Sequence, residues 1–392
     1  MSDWVTAKLK DVAKVVTGKT PQTSNSEYYG GDIPFVSPAD LNEGILSETK
    51  TYLTSSGADQ VYRVPKNTVL VSCIGNLGKL AITAKEVCFN QQINGLIFDE
   101  QKIFPKYGFY FAQTIKPQLE KASSSTTLPI VNKSRFSDLE IKYPPLAEQR
   151  RIVSILDQAD ELRQKRQQAI EKLDQLLQAT FIDMFGDPVS NPKGWRSDKN
   201  LGDVTDIVSG ITKGRKITGK SLREIPYLAV SNVQDKYLNL SIIKTIEASD
   251  DEIERYRLKQ GDLLLTEGGD PDKLGRGTLW NNEVDECIHQ NHVFRVRLTS
   301  KEFTPNYLNW IVGSEYGKRY FLKSAKQTTG IASINMGQLK KLPLLTPPLD
   351  LQIQFDERCI KIHQIKNQLV DSYKDINHLF SSLQNQAFNG TL

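Results

Sequence analysis

Lys8-Leu9-Lys10-Asp11-Val12-Ala13-Lys14-Val15-Val16-Thr17-Gly18 stands near the start of the chain. Asn200-Leu201-Gly202-Asp203-Val204-Thr205-Asp206-Ile207-Val208-Ser209-Gly210 answers it at an offset of 192. The same offset of 192 carries Ile33-Pro34-Phe35-Val36-Ser37 onto Ile225-Pro226-Tyr227-Leu228-Ala229. Cys88-Phe89-Asn90-Gln91 aligns with Cys287-Ile288-His289-Gln290 at an offset of 199, and Pro144-Pro145-Leu146-Ala147-Glu148-Gln149 with Pro347-Pro348-Leu349-Asp350-Leu351-Gln352 at 203. Collinear matches whose offset drifts one way mark an internal duplication with loop insertions in the second copy. The fold is therefore built twice.

Each copy reads as a mixed segment followed by one long helix. Residues 68–72, 95–98, 262–266 and Val293–Leu298 are short apolar runs bounded by Gly, Asn and Asp, which is strand patterning. In the last of these Phe294, Val296 and Leu298 alternate with Arg295 and Arg297, predicting one buried and one basic face. Residues 107–121 and 305–323 carry aromatic side chains at helical spacing. The first long helix is expected to follow Pro144-Pro145 and stop at Gly186-Asp187-Pro188, and the second to close at Asn389-Gly390. Each is about 37 residues, or ~55 Å. Ile152, Ile155, Leu162, Leu173 and Leu176 form an apolar seam on the first helix, and Phe355, Ile362, Ile365, Leu369, Ile376 and Leu383 one on the second. A long helix with one apolar stripe needs a partner, and the other copy, packed antiparallel, is the favoured one over the body of its own domain. The expected class is α+β, with two mixed domains at 1–146 and 187–349 alternating with long helices at 147–186 and 350–392. The helices form an antiparallel coiled coil, and the duplication imposes a pseudo-two-fold.

Composition narrows the function. The chain has 392 residues, 50 basic and 46 acidic side chains, and a net charge of +4, which only mildly favours an anionic partner. No apolar run of ~18 residues could span a membrane, and the start lacks an export pattern, so a cytoplasmic location is expected. The four cysteines, Cys73, Cys88, Cys287 and Cys359, form no C-x-x-C pair, which argues against a disulfide framework or zinc ribbon. Cys287, His289 and His292 supply three ligand-type side chains, but strand alternation splits them between faces and no fourth ligand is near. Gly75-Asn76-Leu77-Gly78-Lys79 lacks the spacing and the Ser or Thr of a phosphate loop. Gly268-Gly269-Asp270-Pro271-Asp272-Lys273 reads as a polar turn. No catalytic constellation emerges.

At the Pro-Pro-Leu-x-x-Gln approach to each long helix, the run Glu148-Gln149-Arg150-Arg151-Ile152-Val153, the opening Leu9 to Gly18 with Thr20-Pro21 and Tyr28-Tyr29-Gly30-Gly31-Asp32-Ile33-Pro34, and the exit Thr126-Thr127-Leu128-Pro129-Ile130-Val131-Asn132, the sequence resembles the DNA-specificity subunit of type I restriction–modification systems. The resemblance covers essentially the whole chain. It implies that each mixed domain is a target-recognition domain for one half of a bipartite, asymmetric site in double-stranded DNA. It also implies that the helices set the spacing and dock two modification subunits. S-adenosylmethionine, ATP and Mg are then expected on those subunits and on further motor and restriction subunits, with no cofactor or metal in this chain. Tyr143-Pro144-Pro145-Leu146 and Thr346-Pro347-Pro348-Leu349 lack the flanking residues of a methyltransferase base-binding segment. A fused or free-standing nuclease and a helical interaction scaffold remain the alternatives.

Base edges are read by Arg or Lys at guanine and Asn or Gln at adenine, whereas phosphate contacts only position the protein. Loops rich in such residues give Lys19, Thr20, Gln22, Tyr28, Asn76, Lys79, Asn90, Gln91 and Gln92 in the first domain. Lys213, Arg215, Lys216, Lys273, Arg276, His289, Gln290 and Asn291 are their counterparts in the second. Gln91 and Gln290, kept by both copies, have an alternative structural role. The loops differ between copies, so the half-sites should differ.

Overall fold

A computed structural model describes residues 4–124, 128–215, 221–270, 273–328 and 331–392. The chain forms two compact units, residues 1–168 with 370–392, and residues 169–369. The division falls inside both long helices, so each unit holds one mixed segment and half of each helix. The expectation had drawn the helices as segments of their own.

In the first unit Val5–Lys8 pairs antiparallel with Glu140–Tyr143. A five-stranded sheet runs in the order Ala13–Thr17, Ile93–Phe98, Val69–Ser72, Leu80–Thr83, Ile45–Leu46, and a four-stranded sheet in the order Thr51–Leu53, Tyr29–Val36, Val87–Phe89, Arg63–Val64. The second unit repeats the plan. Arg196–Asn200 pairs with Pro343–Thr346, and Thr205–Ser209, Val293–Leu298, Leu263–Thr266 and Gly277–Leu279 form the larger sheet. Lys244–Ala248, Arg223–Leu228 and Ile288–His289 form the smaller one. Val69–Ser72 and Leu263–Thr266 are buried along their whole length, as unbroken apolar runs in central positions must be.

Four local expectations are corrected. The stretch at 107–121 is two helices, Pro105–Ala112 and Lys116–Ala122; Pro117, one residue inside the second, cannot donate to a continuing helix. The stretch at 305–323 breaks likewise into Pro305–Gly313 and Glu315–Ser324, with Ser314 extended between them. The basic face of Val293–Leu298 is not open. Arg295 is 3% exposed and ion-paired with Asp206, and Arg297 makes two 2.7 Å bonds to the buried Asp262, because this strand lies between two others in its sheet.

The long helices run over Leu146–Phe185 and Leu349–Asn389. Each ends at a glycine in the left-handed region, Gly186 at φ +78° and Gly390 at φ +80°, the usual way to turn a chain out of a helix. In the first unit Ile152, Val153 and Leu156 share a core with Phe380 and Ala387, and the Arg163 guanidinium lies 4.5 Å over the Phe380 ring. In the second unit Leu177, Phe181 and Phe185 share one with Phe355, Cys359 and Ile362, and Lys366 pairs with Asp174. Later residues of one helix meet earlier residues of the other, so the pair is antiparallel. The fourth correction concerns the seam. Ile152, Phe355, Ile362 and Ile376 are buried and Leu173, Leu369 and Leu383 half-buried, as expected. Ile155 is only half-buried, and Leu162, Leu176 and Ile365 are exposed at 46%, 48% and 48%. They belong to a second apolar stripe beside the buried face. The buried face itself passes through Leu156, Arg163, Leu177, Phe181, Cys359, Phe380 and Ala387, where polar and small residues interrupt the apolar period.

Candidate nucleic-acid interface

The first unit gathers three loops through main-chain contacts. Ala13–Thr17 ends at Gly18, where a Cβ would stand 2.2 Å from the Asn90 carbonyl oxygen; only glycine permits that approach. Lys19 N then donates to Phe89 O at 2.9 Å, and Asn90 N to Val36 O at 3.0 Å. Thr20 Oγ1 donates to Gln91 Oε1 at 2.6 Å. Asn90 and Gln92 hold each other through Asn90 Nδ2 to Gln92 Oε1 (3.2 Å) and Gln92 N to Asn90 Oδ1 (3.0 Å). Cys73 N donates to Gln92 O at 2.8 Å, which brings in the loop at 73–79. Ser72 folds that loop back, its hydroxyl donating to Asn76 O and accepting from Lys79 N. Lys19, Thr20, Asn76, Lys79, Asn90, Gln91 and Gln92 thus share one patch. Gln22 is exposed in the next turn and Tyr28 half-buried on the 3-10 turn Ser26–Tyr28. Among the described residues no side-chain hydrogen bond ties either one to the three loops.

The second unit makes the same contacts with different side chains. A Cβ on Gly210 would stand 2.0 Å from His289 O. Ile211 N donates to His289 O (2.8 Å), Gln290 N to Leu228 O (2.9 Å), Asn291 N to Ile211 O (3.0 Å) and Glu267 N to His292 O (3.0 Å). Thr266 N donates to Arg276 O at 3.0 Å, and the Arg276 side chain reaches Gln234 Oε1 at 3.2 Å. Lys273 pairs with Asp270. Lys213 Nζ lies 5.0 Å over the Tyr227 ring, beside a shallow groove that also includes Lys244. Gln290, Asn291, Arg276, Lys273 and Lys213 are therefore brought to neighbouring loops.

Two of the expected readers serve the fold instead. Arg215 makes a two-pronged pair with Glu252 at 2.6 and 2.8 Å and donates to Glu247 O; the guanidinium holds the Glu252 carboxyl down at about 2. His289 is fully buried, with Nδ1 2.7 Å from Val293 O, and burial pushes its pKa down to about 4. Lys216, Thr126 and Thr127 lie outside the described residues.

Strand pairing also corrects the alignment of the copies. Phe35 pairs with Cys88, and its counterpart Tyr227 with Ile288. The true offset here is 200, so Cys88 answers Ile288, Phe89 His289, Asn90 Gln290, Gln91 Asn291 and Gln92 His292. The repeated Cys and Gln letters had drawn the register one residue off, enough to reverse which face a strand residue occupies. A common structural role for Gln91 and Gln290 falls with it.

The metal reading finds no support among the described residues, where no group of three His, Cys, Asp or Glu side chains converges. Cys287 is buried, its thiol pushed up to about 12, while His292 is exposed and pairs with Glu267 at 2.7 Å. His292 and Glu267 were missed as members of the interface. Only the tertiary pairing of their loops brings them together. No described helix is long and apolar enough to cross a membrane.

Loops of amides and cations at the edges of duplicated sheets suit base and phosphate contacts. The family model for the type I restriction modification DNA specificity domain matches residues 1–172 and 192–370. The chain belongs to this family. As a specificity subunit it is a DNA-recognition chain without a catalytic role. It is 23% identical over 416 residues to the type I restriction enzyme StySPI specificity subunit of Salmonella potsdam, covering 99% of this chain and 89% of that one. It is 22% identical to the EcoKI specificity subunit of Escherichia coli with the same coverage. A match to the MjaIX specificity subunit of Methanocaldococcus jannaschii is 28% identical but spans 59% of this chain and 58% of that protein. Among solved structures, the S subunit of a type I restriction–modification system from M. genitalium superposes with a TM-score of 0.53 at 14% identity, covering 99% of this chain and 96% of that one. A chain from a structural study of complex assembly and conformational transition in a type I system gives 0.57 at 18% identity, covering 99% of this chain and 98% of that one. These likenesses establish the specificity-subunit fold, two mixed domains with two long helices, and set aside the nuclease and scaffold alternatives.

Proposed function

We propose that the two loop patches each read one half of a bipartite, asymmetric site in double-stranded DNA, with recognition domains at 1–146 and 187–349. One observation carries the reading: the patches share three of their loop-to-loop main-chain hydrogen bonds, those of Lys19 and Ile211, Asn90 and Gln290, and Cys73 and Glu267, yet differ in the side chains presented. A scaffold kept constant while its surface residues change suits two readers of different sequences. Lys19, Lys79, Lys213, Lys273 and Arg276 supply the charge for phosphate, and the amides beside them the base contacts.

The long helices, which run through both units, set the half-site spacing and dock two modification subunits. Their exposed apolar side chains support this: Leu162, Leu176 and Ile182 on one helix, and Ile353, Ile360, Ile365 and Leu379 on the other, between 41% and 54% exposed. Exposed apolar side chains of this size on both helices suit a covering partner. The modification subunits bring S-adenosylmethionine and the adenine-methylating chemistry. Motor and restriction subunits bring ATP and Mg. The assembly works in the cytoplasm, where its DNA is.

Exchanging residues 4–142 for the matching segment of a relative, followed by methylation mapping of the assembled complex, tests the reading. One half-site should change while the other stays. If both change together, the two patches are not independent readers.

A further inference from the structure

Glu267 is out of place on a surface meant for DNA. A carboxylate facing a polyanion is repelled unless a donor meets it. Yet Glu267 is held firmly in the second patch. Its N–H donates to His292 O (3.0 Å), its carbonyl accepts from Ile334 N (2.9 Å), and Oε2 stands 2.7 Å from His292 Nδ1. Asn291 Nδ2 approaches His292 Nε2 at 3.4 Å. Donating from Nδ1, the imidazole orients the carboxylate. The Glu267 side chain is 32% exposed, and among the described residues no donor reaches Oε1. The first patch has no such group. Ser72 answers Thr266 in the sheet, so the counterpart of Glu267 is the buried Cys73, and that of His292 is Gln92.

We propose that Glu267 is a specificity-determining residue, its Oε1 accepting a hydrogen bond from the N4 amine of a cytosine in the half-site read by the second domain. Carboxylates pair with cytosine N4 in the major groove, whereas amides such as Gln290 and Asn291 suit adenine. His292 is a positioning residue. The inference rests on the reading of the loop patches as DNA readers.

The test uses the complete complex with modification subunits and a panel of duplexes in which each base pair of the second half-site is varied. Methylation ratios are taken within one variant, so a partly folded preparation leaves them unchanged. The wild type should require cytosine at one position of this half-site. Glu267→Gln should lower that preference roughly ten-fold, Glu267→Asp should keep part of it, and His292→Gln should weaken it without moving it. The first half-site should be unaffected. A half-site without cytosine, or Glu267→Gln and Glu267→Ala with the wild-type profile, overturns the proposal. If Gln290→Ala and Asn291→Ala also keep that profile, the loop-reading itself fails. If those two change it while the Glu267 variants do not, only this assignment fails.

Discussion

Gln149 and Gln352 make the same set of hydrogen bonds in the two units. Each is fully buried in the first turn of a long helix. Gln149 accepts from Phe104 N and donates to the carbonyls of Lys102 and Pro144, all at 2.8 Å. Gln352 accepts from Thr304 N and donates to the carbonyls of Glu302 and Pro347, all at 3.0 Å. The Pro-Pro-Leu-x-x-Gln motif is thus a clamp that fixes where each long helix leaves its sheet domain.

Gln149→Ala leaves one buried N–H and two carbonyls without their partner, which should cost roughly 2–4 kcal/mol. Amide exchange at Phe104 reads this directly and should accelerate, with Gln352→Ala doing the same at Thr304. An unchanged exchange rate would assign the clamp to some other contact.

Gly18→Ala and Gly210→Ala should each disable one patch. The new methyl would meet a carbonyl oxygen at 2.2 or 2.0 Å, so the two loops must separate, at a cost on the order of 1–3 kcal/mol. In the assembled complex, discrimination at one half-site should collapse while the other half-site is still read. Wild-type discrimination by either variant would mean that the loops need not touch.

His289 should make the second unit sensitive to acid. Its pKa falls from 6.5 to about 4 through burial, so between those values the unfolded chain binds a proton that the folded chain refuses. Its stabilising contribution is complete above about pH 6.5 and is lost as pH falls toward 4, by up to roughly 3 kcal/mol. Urea melts of the wild type and His289→Gln across this window should show the slope flattened in the variant. The first unit has Phe89 at this place and lacks this source of acid sensitivity.

The spacer should follow helix length. Since Asp174 pairs with Lys366, the matched heptads are residues 169–175 and 365–371. Deleting both removes ~10 Å of rise, or about three base steps at ~3.4 Å each. Methylation mapping should show a shorter spacer between unchanged half-site bases. An unchanged spacer would show that the helices are not the ruler.

The duplication, the long helices and most patch loops were legible because they depend on local patterning: Gly18 and Gly210 ending a strand, Pro-Pro before a helix, glycine after it. What was not legible depends on pairing between distant strands. Arg297 reads as an open basic residue until Asp262 is known to lie beside it. Arg215 looks like a free cation until Glu252 is folded against it, and His289 looks polar and exposed although its ring is buried beside Tyr256 and bonded to Val293 O. The seam failed at Leu162 and Ile365 for a related reason. Hydrophobicity marks two stripes on these helices, and only the fold says which is buried.

The division of the chain at 168/169 and 369/370 bears on how it is made. The second unit is continuous, whereas the first is completed only by residues 370–392. During synthesis Ile152 and Leu156 leave the ribosome long before Phe380 and Ala387, their core companions. At ~5–20 residues per second the interval is on the order of 10–45 s. For that time the first unit lacks the part of its core that Phe380 and Ala387 supply, although residues 9–141 already pack on Ile152 and Leu156, and the unit encoded first is the last to be finished.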